Sequence, residues 1–158
     1  MRIVFALLLV ALVACSSQNS GTGQPPPSGP PLSELRIYAR GGAAVLHVNV
    51  ATSDNERRQG LMGVTSLPED EGEVFLWSAP TLGGFWMKDT LIPLSIAFWD
   101  KQGRIVGMLD MMPCHADPCP IYHSPAPYVG AVEVNSGYLA SHGVAIGDRV
   151  DLKQAAYA

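Results

Sequence analysis

From residue 33 onward the apolar residues come in short runs, mostly β-branched or aromatic and bounded by Gly, Pro or Asp. That punctuation belongs to strands. In "AVLHVNVA", Leu46, Val48 and Val50 alternate with His47 and Asn49, which predicts a strand with one face in a core and the other in water. "EVFLW" and "PLSIAFWD" have the same style, and Asp100-Lys101-Gln102-Gly103 joins the latter to "RIVGMLDMM" as a short Gly-ended loop, predicting a β-hairpin. "YVGAVEVN" and "DRVDL" supply two further strands. Helical signals are few: Ser53 to Glu56 has capping-box spacing with Gly60 as its stop, and "SGYLASHG" predicts a turn or two closed by Gly143. Strands and helices do not alternate, which argues against a parallel sheet. The expected fold is mainly β, a compact antiparallel β-barrel or sandwich-like single domain with one or two short helices.

The start of the chain has a different pattern. Met1 and Arg2 precede an unbroken apolar run from Ile3 to Val13, too short for a mature spanning helix of about 20 residues and suited to a signal-peptide core. Leu12-Val13-Ala14-Cys15 resembles a bacterial lipoprotein processing box, which implies a signal peptide over 1–14 and lipid on Cys15. Residues 15–32, "CSSQNSGTGQPPPSGPPL", offer almost nothing to bury and read as a tether. The domain proper is then 33–158. The expected location is the bacterial cell envelope, lipid-anchored on the periplasmic side, at the outer membrane if the cell is Gram-negative.

Charge narrows the partners. Ten basic against fourteen acidic side chains give a net charge of −4, and loss of Arg2 with the leader makes the mature chain more acidic still. No basic run appears, so a nucleic-acid partner, which depends on Lys and Arg neutralising phosphates, is not expected. With Cys15 lipidated, Cys114 and Cys119 in "PCHADPCP" are the remaining cysteines, and in an exported chain they most simply form a disulfide. The CxxxxC spacing weakens a redox role, and a zinc site from Cys114, Cys119, His115 and His123 lacks the usual close cysteine pair. No metal and no cofactor are implied. His47 and His142 read as ordinary solvent-facing residues. Ser124 has no GxSxG elbow around it, and the glycines of "RGGA" and "LGGF" lack phosphate-loop spacing.

"RRQGLMGVTSLPEDEGEVFLW", "FWMKDTLIPLSIAFWDKQGRIVGM", "MPCHADPCPIYHSPAPYVGAVEVNSG" and "GVAIGDRV" are similar in order and spacing to the DUF192 family, also called UPF0127. The resemblance runs from about residue 45 to 152 and implies one small β-rich domain, often exported. The chain departs from the common pattern at Asp89, where Asn is usual, at Ser95, where Asp is usual, at Glu73, where Met is usual, and at Gly63 or its neighbour, where Arg is usual.

Candidate site residues come from "FWMKDT". In an extended segment Phe85 and Met87 share one face while Trp86 and Lys88 share the other, with a turn from Asp89 to Pro93. An ammonium beside large apolar groups needs a carboxylate, and Asp89, Asp110 and Glu133 are the candidates. The bland outcome is a structural ion pair with Thr90 in a local turn hydrogen bond. The sharper expectation is that Arg57, Trp86, Lys88, Asp89, Thr90 and Glu133 form a binding site, with Arg57, Lys88 and Glu133 converging on an anionic or polyhydroxylated ligand. Trp77, Trp86 and Trp99 could form a sugar platform, although aromatics in strands usually pack in cores. The functional expectation is an exported lipoprotein whose domain binds an envelope glycan or protein partner or another ligand. The alternative is a hydrolase-like envelope enzyme acting on polysaccharide or peptidoglycan, with Glu133 or Asp89 as acid or base.

Overall fold

The computed structural model describes residues 32–155. Cys15 and most of the expected tether lie outside the described residues. Strands β1 (Ser33–Ala39) and β2 (Gly42–Ala51) form an antiparallel hairpin. A short helix, α1 (Asp54–Gln59), follows, then the long strand β3 (Glu71–Thr81) and the short strand β4 (Gly84–Trp86). The predicted hairpin is β5 (Leu94–Trp99) with β6 (Ile105–Met111). The chain ends through β7 (Ile121–His123), β8 (Tyr128–Asn135), α2 (Tyr138–Ser141) and β9 (Arg149–Lys153).

Seven strands form one sheet in the order β6-β5-β8-β3-β2-β1-β9, and β4 pairs with β7 in a separate two-stranded sheet. The large sheet curls into a half-barrel. Its two edges approach each other at one end, where Ile105 N–H donates to Asp148 O at 2.9 Å and Val150 N–H donates to Gly103 O at 2.7 Å. Gly103 is required there on two counts: its φ is +71°, and a Cβ would stand 2.9 Å from the Val150 carbonyl oxygen.

One pairing departs from expectation. β2 and β3 run parallel, Asn49 opposite Glu73 and Ala51 opposite Phe75. A parallel neighbour needs a long crossover, and the segment 52–70 with α1 supplies it. Its helix is closed at the start by the predicted capping box: Ser53 Oγ accepts from Glu56 N–H at 3.3 Å, and Glu56 Oε2 accepts from Ser53 N–H at 2.8 Å. Ser53 N–H, together with Thr52 N–H, which donates to the same oxygen at 2.9 Å, holds the Glu56 carboxyl down at about 2.

Alternation along the central strands sorts the core onto two faces. Val74, Ala97, Val132 and Val134 join the cluster inside the curl, together with Tyr138 and Leu139 of α2. Phe75, Ile96, Phe98, Ala131 and Tyr128 face the other way, where Phe85 and Met87 pack on them. All six residues of β5 are buried, as expected of a strand covered on both sides. Trp99 lies on the inner face against Gly130, whose absent side chain makes room for the indole.

Candidate functional site

On the outer face, α1, the end of β3, the β4/β7 ribbon and β8 enclose a cavity of about 360 Å³. This is within the size range of small-ligand pockets. Aromatic rings supply part of its wall, and Asp54, Arg58 and Gln59 of the α1 segment line it as well. Trp77 meets Tyr128 edge to face, ring centroids 5.1 Å apart at 88°, and Phe85 meets Phe75 in the same way at 5.1 Å and 86°. Such right-angle contacts suit the ring quadrupoles and leave the rings standing as walls of a box. Trp86 and Ile121, register partners in the ribbon, form an apolar lip and are 44% and 50% exposed.

Of the residues expected at the site, Arg57, Trp86, Thr90 and Glu133 line this cavity, whereas Lys88 and Asp89 do not. Phe85 and Met87 are buried and Trp86 exposed, so the expected alternation holds. Lys88 shares the face of Trp86 but does not line the cavity. The Lys88 ammonium lies 3.4 Å from Asp117 and 5.9 Å from the centre of the Trp86 ring. None of Asp89, Asp110 or Glu133 is its partner. The partner comes instead from the loop closed by the Cys114–Cys119 disulfide, whose Cα atoms are 5.7 Å apart. That loop is brought alongside because Cys114 N–H donates to Met87 O at 3.3 Å and pairs in a bridge with Lys88. The bonded sulfurs are the two thiolates a zinc site would have needed, and among the described residues no three His, Cys, Asp or Glu side chains gather to hold a metal.

Asp89 has a backbone role. Its φ is +55°, a left-handed conformation in which Asn and Asp are among the few tolerated side chains, and its carbonyl accepts from Gly63 N–H at 2.9 Å. Thr90 is buried and makes the expected local bond, Oγ1 to Lys88 O, at 3.5 Å. Asp110 accepts from Ser95 Oγ, which in turn accepts from Gly137 N–H at 3.0 Å. Ser95 alternates with Ile96 and so lies on the α2 side of the sheet, opposite the cavity.

Arg57 lines the cavity with three of its five N–H donors engaged. Nη1 donates to the carbonyls of Thr52 and Leu76, Nη2 pairs with the Asp54 carboxylate, and the guanidinium sits 5.2 Å from the centre of the Trp77 ring. It is a charge-compensated brace between α1 and β3. Glu133 is the opposite case. It is 5% exposed, faces the cavity, and makes no side-chain hydrogen bond to any described residue. Its neighbours across the sheet are Glu73 on β3 and Ile96 on β5. Burial, with the charge of Glu73 adding to it, pushes its carboxyl up to about 8. Glu73 itself is pushed up to about 7 by burial and by Glu56.

Sequence reasoning placed Glu133 in the site but missed Tyr128 and Phe75, and gave Trp77 only a platform or core role. Glu73 was visible only as a departure from the family pattern, although its spacing of two from Phe75 puts it on the same face of β3. Trp99 is core, so the three tryptophans form no common platform.

This curled sheet with its outer ribbon is the fold of a known family. The DUF192 family model, described as "Uncharacterized ACR", matches residues 36–152. The chain belongs to that family. Among solved structures, a protein of unknown function from Novosphingobium aromaticivorans is 29% identical with a TM-score of 0.73, over 80% of this chain and 89% of the other. A proposed transcription regulator from Sinorhizobium meliloti is also 29% identical, with a TM-score of 0.70 over 76% of this chain and 92% of its own. Comparison with curated proteins finds no match.

Proposed function

We propose that this is a small-molecule-binding module displayed in the bacterial cell envelope, carried by a signal peptide and anchored through lipid on Cys15. The observation that supports it best is the aromatic-walled cavity with the buried, unpartnered Glu133 carboxyl at its base. The Glu133 carboxyl bonds to no described residue, and since no buried side-chain nitrogen or oxygen is left without a partner among the described residues, its oxygens are open to whatever occupies the cavity. The address rests on the leader and the Cys15 box. The acidic balance of the chain argues against nucleic acid as the ligand.

A hydrolase-like enzyme acting on polysaccharide or peptidoglycan is the second reading. It is favoured by one observation, that Glu133 keeps its proton near neutrality as a general acid must. The second carboxylate such chemistry needs is poorly supplied: Glu73 does not line the cavity, and Asp54 is tied to Arg57.

The test is thermal denaturation of the full-length protein in detergent against a panel of envelope sugars, peptides, amines and lipids. A compound at about 100 times its dissociation constant adds about 2.7 kcal/mol and raises the midpoint by several degrees. The expected result is such a shift in the wild type that disappears when Trp77→Leu or Glu133→Gln is made. A panel with no protecting compound, or protection indifferent to both changes, overturns the binding-module reading.

A further inference from the structure

The segments that cover the outer face leave an apolar surface of their own. Among the described residues seven large apolar side chains are exposed, and five of them, Leu82, Trp86, Leu91, Met112 and Ile121, belong to the two stretches, 82–91 and 112–121, that make this cover. A grouped set of this kind marks an interaction surface, where scattered single residues would not. Trp86 and Ile121 are register partners, and Ile121 lies over Gly84, where a Cβ would stand 2.2 Å from its Cγ2. Met112 is tied to the same ribbon, since its N–H donates to the Tyr122 hydroxyl at 3.2 Å and Cys114, two residues on, pairs in parallel with Lys88. The Lys88 ammonium stands 5.9 Å from the centre of the Trp86 ring. An indole and a lysine among exposed aliphatic side chains is the composition of a membrane interface.

Charge does not choose the partner. Lys88 and the exposed Arg58 of the cavity wall are accompanied by Asp117 and Asp54. What chooses is where the chain leads away from the body. β1 begins at Ser33, level with Val48 and Gly72, and Phe75 of the cavity wall is three residues further along β3. At about 3.3 Å per residue and 4.8 Å per strand, Ser33 is roughly 10 Å along the sheet and 10 Å across it from that wall. A stretch of the length and composition of residues 15–32 spans about 25 Å as a coil. Lipid on Cys15 therefore keeps the exposed ribbon within reach of a bilayer, which meets it at high effective concentration.

We infer that the ribbon face carrying Trp86, Ile121 and Met112 docks on the surface of the bilayer that holds the Cys15 lipid. The apolar side chains enter the headgroup boundary, Lys88 stays at the level of the phosphates, and the cavity opens toward the membrane. This goes beyond the binding-module reading and rests on its Cys15 anchor.

The test uses the full-length lipidated protein in vesicles of phosphatidylethanolamine and phosphatidylglycerol, with and without dibrominated acyl chains, and reads tryptophan emission. Bromine quenches only an indole that meets the chains. Trp99 is buried and Trp77 lines the cavity, so Trp86 is the exposed reporter. The expected result is quenching in the brominated vesicles that disappears in Trp86→Phe. Leu82→Glu with Met112→Glu, at two exposed positions that do not line the cavity, should abolish the same quenching while the melting midpoint and the association with vesicles are kept. No Trp86 quenching in a protein that carries lipid and stays on the vesicles, or equal quenching in the double variant, overturns the docking and leaves the anchor and the cavity reading standing. An intact mass without acyl chains on Cys15 removes the anchor, and the inference falls with it. Shielding of Trp86 from acrylamide that grows with protein concentration in detergent would assign the face to a second copy, which also overturns it.

Discussion

Consecutive residues of β8 point into two environments. Val132 and Val134 face the interior of the curl, where Val74 and Ala97 sit beside them and Tyr138 and Leu139 close over the top. Ala131 and Glu133 face the opposite way, toward Phe75, Phe98 and the cavity. The inner cluster is apolar, and the polar groups beside it are bonded: Ser95 with Asp110 and Gly137, and the Tyr138 hydroxyl with the Val45 carbonyl. The outer face holds a carboxyl with no partner. A sheet that can satisfy its polar groups on one side and leaves one open on the other is using the second side for something besides folding. The difference also locates the cover: α2 packs directly on the inner face, whereas the ribbon over the outer face stands off enough to leave the cavity.

The largest effect should come from moving the carboxyl by one residue. Val132→Asp puts a charge where no cavity, water or donor awaits it, and is expected to cost more than about 4 kcal/mol. Circular dichroism should show no cooperative melt. A folded variant with a normal melt would mean that the inner face is as permissive as the outer one, and the contrast would collapse.

Glu133→Gln sharpens the same contrast. Because the folded carboxyl is raised to about 8, well above its ordinary range, the folded chain holds a proton that the unfolded chain has released. The stability this gives is complete below the unfolded value near 4.5 and is lost as pH rises toward about 8. Wild-type stability should therefore fall across that interval, with Glu73 contributing in the same direction. Glu133→Gln should flatten the fall and melt higher than the wild type at pH 9, by a few kcal/mol in order of magnitude. Urea midpoints at pH 5, 7 and 9 decide it. A parallel offset at all three values would show that Glu133 does not titrate in this interval.

The disulfide belongs to the outer region alone. Its short loop constrains little of the unfolded chain, so Cys114→Ser with Cys119→Ser should cost about 2 kcal/mol. Amide exchange should quicken at Trp86 and Ile121, in the ribbon next to this loop, while β8 keeps its protection. Uniform loss of protection would instead make the loop part of the global folding unit.

Much of the fold was legible because its signals are local. The alternation in "AVLHVNVA", the capping box at Ser53 and the Gly-ended hairpin loop at Asp100 each act within a few residues, and each appears as expected. The parallel pairing of β2 with β3 was not legible, since it depends on where the 52–70 crossover delivers the chain rather than on either strand's composition. At the site, the turn-out of Trp86 and Lys88 followed from strand periodicity, but their partners did not. Asp117 reaches Lys88 only because the disulfide loop folds back on Met87, and Arg57 braces β3 only because α1 docks beside Leu76. Glu73 could be read as an oddity in an apolar strand. Its meeting with Glu133 needed the register of β3 on β8.

The smallest effect is expected where sequence reasoning placed most weight. Lys88 and Asp117 are 40% and 72% exposed on their side chains, and their 3.4 Å contact is long for an ion pair in water. Exposed pairs of this kind contribute about 0–1 kcal/mol, and a ring 5.9 Å away is at the limit of a useful cation–π contact. Lys88→Met should therefore change the denaturation midpoint by less than about 1 kcal/mol and leave the affinity for whatever fills the cavity within twofold, in contrast to Glu133→Gln. Chemical denaturation and ligand titration on the same sample separate the two quantities. A Lys88→Met protein that folds normally but no longer binds would put the ammonium back at the site, and would mean that the ribbon turns its outer side toward the ligand rather than its inner one.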